Sequence, residues 1–375
     1  NIGIKEILGM RSILSPIRKH GTRGVVDLLR VAPMMMPELV DEWFENKLLR
    51  SSISTAGIHH LSFGPYAAGT GYNLLHQHAH SNGLFHNIKF IKGGTEQFAT
   101  VLKKVAEKFN VEIQTSTIVA KIDTDQNVCN GVTLGNGEKI MAKQIVSGLD
   151  PKNTFFNLVG PSNLTPDFRT QINNIRYRGN TARIHFALNS LPEVKGVDKE
   201  ELKTVFSISP SIEYLERASD AVKYGQLPDN PYVEFVIPSL LESDFAPKGE
   251  HVLSATIQYT PYHLRNAEWS ESIKDQLKNN VVDTLEKVIP NIKSIIKHSY
   301  VISPLDLENE FGLTEGNLNH GEMTLDQFMF MRPTISSSQY RTPINNLFLC
   351  GPGTHPGGGL HGANGYNAAM EILKH

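Results

Sequence analysis

The stretch "LFLCGPGTHPGGGLHGANGYNAAM" (residues 347–370) places seven glycines between Gly351 and Gly365, with His355 and His361 among them. Imidazoles exchange protons near neutral pH. Glycines let another group touch the main chain, at a cost in folding entropy. An apolar run precedes the glycines and small residues follow them, which reads as strand, loop and helix. Unpaired N–H groups at a helix start bind anions. A Walker loop would need Gly-Lys-Ser/Thr, which is absent. A dinucleotide fingerprint would need GxGxxG, and "GPGTHPG" has the wrong spacing. Two readings stay open: a glycine-rich turn without a ligand, and a segment completing a cofactor site begun elsewhere. Gly357, Gly358 and Gly359 would admit a diphosphate or a ring. Gly362, Gly365 and Ala369 recur at spacings of three and four, a small-residue face for a sheet or a flat ligand.

Histidine is the other concentrated chemistry. His59, His60, His76, His78, His80 and His86 are six of the fifteen histidines, within 28 residues. His76, His78 and His80 would share one face of a strand, and His76 and His80 one face of a helix. Such spacing suits zinc or iron, but no cysteine or acidic cluster completes a set. The expectation is a polar loop capping a substrate, and no metal. No GxSxG elbow, HExxH or CxxC is present. Cys129 and Cys350 lie far apart, which excludes a thiol–disulfide motif and a disulfide scaffold. They fit a reducing compartment, cytoplasmic or an organelle matrix.

Positioning these residues takes a sizeable fold. A chain of 375 residues suggests about two domains, and 40% apolar with 20% charged residues is an ordinary globular composition. A net charge of −2 gives no reason to expect nucleic acid. No run approaches the ~20 apolar residues of a membrane span. The greasiest stretch, 25–44, is broken by Asp27, Arg30, Pro33 and Pro37 and lacks signal-peptide flanks. Within it, Met34, Met35 and Met36, with Trp43 and Phe44, suit core packing, a greasy substrate entrance, or peripheral contact with a membrane.

Residues 1–87 read as mostly helical. A helix capped by Thr95 carries Phe98, Val101, Leu102, Val105, Ala106 and Phe109 at helical spacing. Strands are expected at 111–115 and 118–123, a tight hairpin at Asn136 and Gly137, and a further strand before an Asp150 cap with Pro151 at the first helical position. The middle reads as a mixed or antiparallel sheet, with strands at 180–189, 204–210, 231–238 and 251–260. Helices are expected at 211–224 and 270–289, and one opened by Ser303 and Pro304 is closed by Gly312. A strand at 347–350 and a helix at 360–374 finish the chain. The whole is mixed α/β, with 88–164 and 331–375 forming one discontinuous domain, and 1–87 and 165–330 forming the other.

Several segments together carry a family resemblance: "IKGGTEQFATVLKKVAEKFNVEIQTSTIVAKI", "NGVTLGNGEKIMAKQIVSGLDPKNTF", "SPLDLENEFGLTEGNLNHGE", "RTPINNLFLCG" and the glycine stretch itself. In this order, over nearly the whole chain, the sequence resembles the phytoene desaturase-like FAD-dependent oxidoreductases, in the branch of carotenoid desaturases and isomerases that includes a mitochondrial animal relative. The resemblance implies a discontinuous, Rossmann-like FAD domain with an inserted substrate domain. It implies FAD as cofactor, with Gly351, Gly353 and Thr354 along the ribityl chain and ring. Gly358 and Gly359 would lie close by. Leu360, His361, Gly362 and Ala363 would stand at the pyrimidine side, and Val119 would touch adenine through its backbone.

His320, His355 and His361 are candidate catalytic residues, and Arg332 and Arg341 would either offset charge on reduced flavin or pin the returning strand. The implied reaction is desaturation, dehydrogenation or isomerisation at C–C or C=C bonds of a hydrophobic, isoprenoid-like substrate. Two alternatives stand beside it: a non-catalytic partner-binding protein that keeps the fold, and a flavin amine oxidase. Against the latter, Pro352 stands where some amine oxidases carry an acidic residue, and proline has no N–H to donate. Family members open with a strand–GxGxxG–helix unit and an acidic residue for the ribose. Neither is found in this sequence, so the expectation is that this chain alone holds FAD weakly or not at all.

Overall fold

The computed structural model describes residues 21, 24, 26, 27, 29–78 and 90–374. Three helices, α1 (Met36–Asp41), α2 (Lys47–Ile58) and α3 (Thr70–His78), pack around Met36, Leu39, Val40 and Ile53. Met36 is therefore core, whereas Trp43 is 73% exposed. Among the described residues no helix is long and apolar enough to cross a membrane.

Helix α4 (Thr95–Lys108) forms where the apolar spacing predicts it, but its cap is Gly94 and Thr95 is already helical. None of its residues is buried: Phe98, Val101, Leu102 and Val105 all face outward. The strand expected at 111–115 is absent, and those residues are exposed. An extended segment becomes a strand only when neighbouring backbone groups pair with it, and among the described residues no strand pairs with this one.

Strands β1 (Val119–Asp125), β2 (Val128–Leu134) and β3 (Lys139–Met141) form an antiparallel meander. Its second turn uses Gly137 at φ +88°, with the Glu138 amide donating to Asn136 Oδ1 at 3.0 Å. Strand β4 (Ile145–Ser147) leads through a turn to Asp150, whose Oδ1 accepts the Asn153 amide at 2.9 Å. The helix that follows runs through a π-helical stretch, Asn153–Val159, and then α5 (Pro166–Asn173).

The larger sheet takes β5 (Thr181–Leu188), β6 (Phe206–Ile208), β7 (Tyr232–Val236), β8 (His251–Gln258) and β9 (Ile296–Ile302), in the order β6-β7-β8-β5-β9, antiparallel throughout. Alternation in β5, β7 and β8 puts Ile184, Phe186, Val233, Phe235, Leu253, Ala255 and Ile257 on one face, where Leu277, Val281 and Leu285 meet them. Those last three belong to α7 (Glu271–Glu286). Helix α6 (Ile212–Lys223) starts at the Ser211 cap and packs on α2. Helix α8 (Pro304–Phe311) has the expected ends: a capping box of Ser303 and Asp306, and Gly312 at φ +66°.

The chain then returns. Strand β10 (Leu347–Leu349) lies parallel to β4, with Leu347 opposite Ile145 and Leu349 opposite Ser147. The last helix, α9 (Ala363–Ile372), begins three residues later than expected, because Gly362 at φ +64° is its cap. Parallel sheets are ordinarily covered on both faces. Here Val146 and Leu149 remain exposed, on the same part of the chain as the uncovered α4.

Candidate functional site

Between β10 and α9 the chain folds into a loop held by Thr354 and by polar groups of the elements around it. Thr354 turns back on Gly351, its amide and hydroxyl donating to the Gly351 carbonyl at 3.0 and 2.8 Å. From α9, the side-chain Nδ2 of the buried Asn364 donates to the carbonyls of Gly351, Thr354 and His355 at 3.2, 3.0 and 3.3 Å, leaving its backbone N–H uninvolved. The Tyr340 hydroxyl donates to the His355 carbonyl at 2.8 Å.

Beneath the loop lies Arg332, 1% exposed. Its Nε donates to the Pro352 carbonyl at 3.0 Å, and its Nη2 to the carbonyls of Gly321 (3.1 Å) and Asn319. Pro352 cannot donate, but its carbonyl accepts. Burial draws the Arg332 pKa down to about 10, and its Nη1 is buried without a partner. Arg341 instead pins the returning strand to α9, with Nε 2.7 Å from Glu371 Oε1.

The glycines divide into two groups. A Cβ on Gly351 would lie 2.4 Å from the Gly148 carbonyl oxygen, one on Gly353 2.7 Å from Pro151 Cδ, and one on Gly358 2.0 Å from Asn319 Oδ1. A Cβ on Gly357, at φ +107°, would lie 2.6 Å from Met323 Cε. What comes close to the main chain at these four positions is the protein itself: the turn after β4 and the 319–323 loop. At the other end, nothing lies within 4 Å of a Cβ on Gly362 or Gly365. Leu360 is 77% exposed, and the amides of Asn364 and Gly365 meet no acceptor among the described residues.

His361 organises this end. The Ala363 amide donates to its Nδ1 at 3.0 Å, so the ring hydrogen is assigned to Nε2, which faces the Gly358 carbonyl at 3.3 Å. Bare glycine, free N–H groups and open space form a shelf at the start of α9. It suits a flat, acceptor-edged group such as a flavin pyrimidine ring. The residues present would fit such a group, with Gly362, Ala363, Asn364 and Gly365 those that would hold it.

The other expected site residues are scattered around this loop. Gly359, at φ +130°, sits against the His361 ring. Val119 opens β1 opposite Leu134, in a different sheet from β10. His355 is half-buried, and burial, Arg332 and His361 together lower its pKa. His320 takes φ +54°, and its Nδ1 is buried and unpartnered, 3.2 Å from where a Gly351 Cβ would stand.

Burial lowers the His320 pKa to about 4, with Asp150 opposing and Arg332 assisting. It is a neutral base under the loop at pH 7. Folding therefore favours the state with fewer bound protons, and that stability is lost as pH falls from the unfolded value of about 6.5 towards 4. Lowering the pH from 7 to 5 should cost about 1–2 kcal/mol through this residue. Urea midpoints at the two pH values check it, and His320→Gln should flatten the change; an equally steep change in the variant refutes it.

Reasoning from sequence missed the polar amides and Asp150 as a group. Asp150 accepts from Asn153 Nδ2 at 2.6 Å and from the Thr314 hydroxyl at 2.8 Å, besides its capping bond. Asn317 donates to the Tyr177 carbonyl and accepts the Asn319 and Gly321 amides at 2.9 and 3.1 Å. The recurrence of Asn in "GNLNHGE" was their only signal.

The histidine cluster does not form a shared strand face in its described part. His76 and His78 lie on α3, two residues apart and hence on different sides of the helix, with His76 against Phe328. His59 and His60 sit together elsewhere, ring centroids 3.9 Å apart. His80 and His86 lie outside the described residues. Among the described residues, no three histidine, cysteine or acidic side chains converge on one point.

Comparison with known proteins places this arrangement. The chain is similar to pyridine nucleotide-disulfide oxidoreductase domain-containing protein 2 of Rattus norvegicus, 32% identical over 97% of this chain and 65% of that protein. It is 25% identical to a lycopene-forming phytoene desaturase of a Paracoccus species, over 90% of this chain and 66% of that one. The chain thus spans about two thirds of the length of these relatives. The crystal structure of an oxidoreductase from Methanosarcina mazei shares the fold, with a TM-score of 0.59 at 12% identity over 100% of this chain and 73% of that one. Residues 73–373, from the middle of α3 to the end of α9, match the flavin containing amine oxidoreductase family, and to that family the chain belongs.

Proposed function

We propose that the whole protein is an FAD-dependent oxidoreductase acting on carbon–carbon bonds of a hydrophobic substrate. The observation that carries this is the shelf at the start of α9, where free amides and two unobstructed glycines stand beside a loop that Arg332 and Asn364 hold fixed. When bound, the flavin supplies hydride acceptance from a substrate carbon. The chain's own part is to hold the ring edge through the amides of Asn364 and Gly365 and to keep the loop from moving. On this reading, 88–164 and 331–375 hold the flavin, while 1–87 and 165–330 present the substrate. Relatives named as phytoene desaturases support a hydrophobic substrate, and isoprenoids are the class to try first.

The uncovered apolar residues of α4, with Val111, Ile113 and Val146, support a further point. In the whole protein an additional α/β layer covers them and completes the flavin site. The test is a visible absorption spectrum after extensive dialysis against FAD-free buffer. This chain alone should keep little flavin, and a form as long as the relatives should keep about one equivalent. No bound flavin in either form overturns the reading.

A further inference from the structure

The face of the five-stranded sheet that α7 does not cover carries an arginine, Arg183, with no ion-pair partner among the described residues. In register across the strands stand Ser207, Glu234, Thr256, Arg183 and Ile302. Arg183 is exposed, and its guanidinium meets no hydrogen-bond acceptor and no ion-pair partner among the described residues. Its lateral neighbours, Thr256 and Ile302, carry no charge. The carboxylate of this row, Glu234, lies a further strand away, and its Oε1 accepts the Tyr232 hydroxyl at 2.6 Å.

Protein crowds the guanidinium although solvent reaches it: burial lowers the Arg183 pKa, with Glu234 opposing. Arg183 and burial in turn hold His60 and His185 on the neutral side. The sheet face here is a wall beside the 58–61 segment. One end of this wall is roofed by the 58–61 segment, where Gln258 Nε2 donates to the carbonyls of Ile58 (2.6 Å) and Leu61 (3.3 Å). Leu61 clusters with Met323, the residue against Gly357. The sheet face and the glycine loop are therefore linked through one packed segment.

We propose that this sheet face binds the carboxylate of an amphiphilic substrate through Arg183, with the apolar remainder directed toward the glycine loop. A guanidinium pairs with a carboxylate through two parallel hydrogen bonds. One cation without an ion-pair partner among the described residues, with the Thr256 hydroxyl beside it, matches a single negative charge. A diphosphate would call for further cations that this row lacks. The assignment rests on the reading that the sheet faces the substrate, and it names the substrate class as hydrophobic acids rather than hydrocarbons.

The test compares oleate with oleyl alcohol, two probes that differ only at the head group, by equilibrium dialysis below their aggregation limits with the flavin-loaded protein. Oleate should bind at least about tenfold more tightly than the alcohol. Arg183→Leu should remove that preference and leave the alcohol's affinity unchanged, Arg183→Lys should keep part of it, and Glu234→Gln should raise oleate affinity a few-fold. Equal loss of both probes in Arg183→Leu, or no loss, overturns the proposal. If circular dichroism shows Arg183→Leu misfolded, Glu234→Gln decides: tighter oleate binding supports the site and unchanged binding refutes it. Flavin content is read separately by absorbance. A protein without flavin that still shows the Arg183-dependent preference sinks the flavin reading and leaves this one standing.

Discussion

Replacing Arg332 by Met is expected to lower stability by about 2–4 kcal/mol and to release any bound flavin. Two effects oppose each other. Among the described residues the guanidinium has no acidic partner within salt-bridge distance, and burying an uncompensated charge is costly, so its removal gives something back. Against this, the carbonyls of Asn319, Gly321 and Pro352 lose their donor, and each buried orphan costs about 1–3 kcal/mol. Three orphans outweigh one relieved charge.

Arg332→Lys should fare little better. A single ammonium cannot span the Pro352 carbonyl on one side and the 319–321 carbonyls on the other, which the guanidinium fork does. Urea unfolding of both variants measures the cost, and the flavin spectrum after dialysis measures the loop. If Arg332→Met unfolds at the wild-type midpoint, the guanidinium is not what fixes the loop, and the rigidity assigned to the shelf loses its source.

Much of this framework can be read from local pattern. The alternation of "TARIHFAL" and "HVLSATIQ" needs only a sheet with one covered face to become β5 and β8. Ser303, Asp306 and Gly312 state both ends of α8 within ten residues. Where the determining partner is distant in sequence, the pattern is silent or misleads. Residues 111–115 have the composition of a strand and, among the described residues, no strand to pair with, so they stay unpaired and exposed. β9 was invisible for the opposite reason: "IKHSYVI" is polar in its middle, and its pairing with β5 alone makes it a strand.

The site shows the same limit more sharply. That Gly351, Gly353, Gly357 and Gly358 must lack a side chain was legible, but the groups that require it (Gly148, Pro151, Met323 and Asn319) lie 34 to about 200 residues away and carry no mark of that role. His361 drew notice as an ionisable group, whereas its ring accepts the Ala363 amide at the start of α9 and closes on the Gly358 carbonyl. A short loop offers several unpaired backbone groups, and which of them a nearby imidazole satisfies is decided by geometry that spacing does not reveal.

Gly351→Ala is expected to cost about 3 kcal/mol and to abolish flavin retention. Its Cβ would meet a backbone oxygen at 2.4 Å, not the end of a flexible side chain. The Gly148 carbonyl cannot retreat freely, because the adjoining residues hold β4 to the returning strand: Leu349 faces Ser147, and the Cys350 amide donates to the Ser147 carbonyl at 2.9 Å. Relief would have to come from parting the two parallel strands.

Gly365→Ala is the control, because nothing lies within 4 Å of its Cβ. Alanine in place of glycine inside α9 should raise stability by about 0.5–1 kcal/mol. If the flavin ring rests on the shelf, the same methyl group stands in its way, and FAD affinity should fall by about tenfold or more while the unfolding midpoint rises. A loss of stability without its cause at the ring would move both readouts in one direction. Opposite movement in Gly365→Ala separates a ligand surface from a packing surface, and a stabilised variant that binds FAD as well as the wild type would show that the shelf is not where the flavin lies.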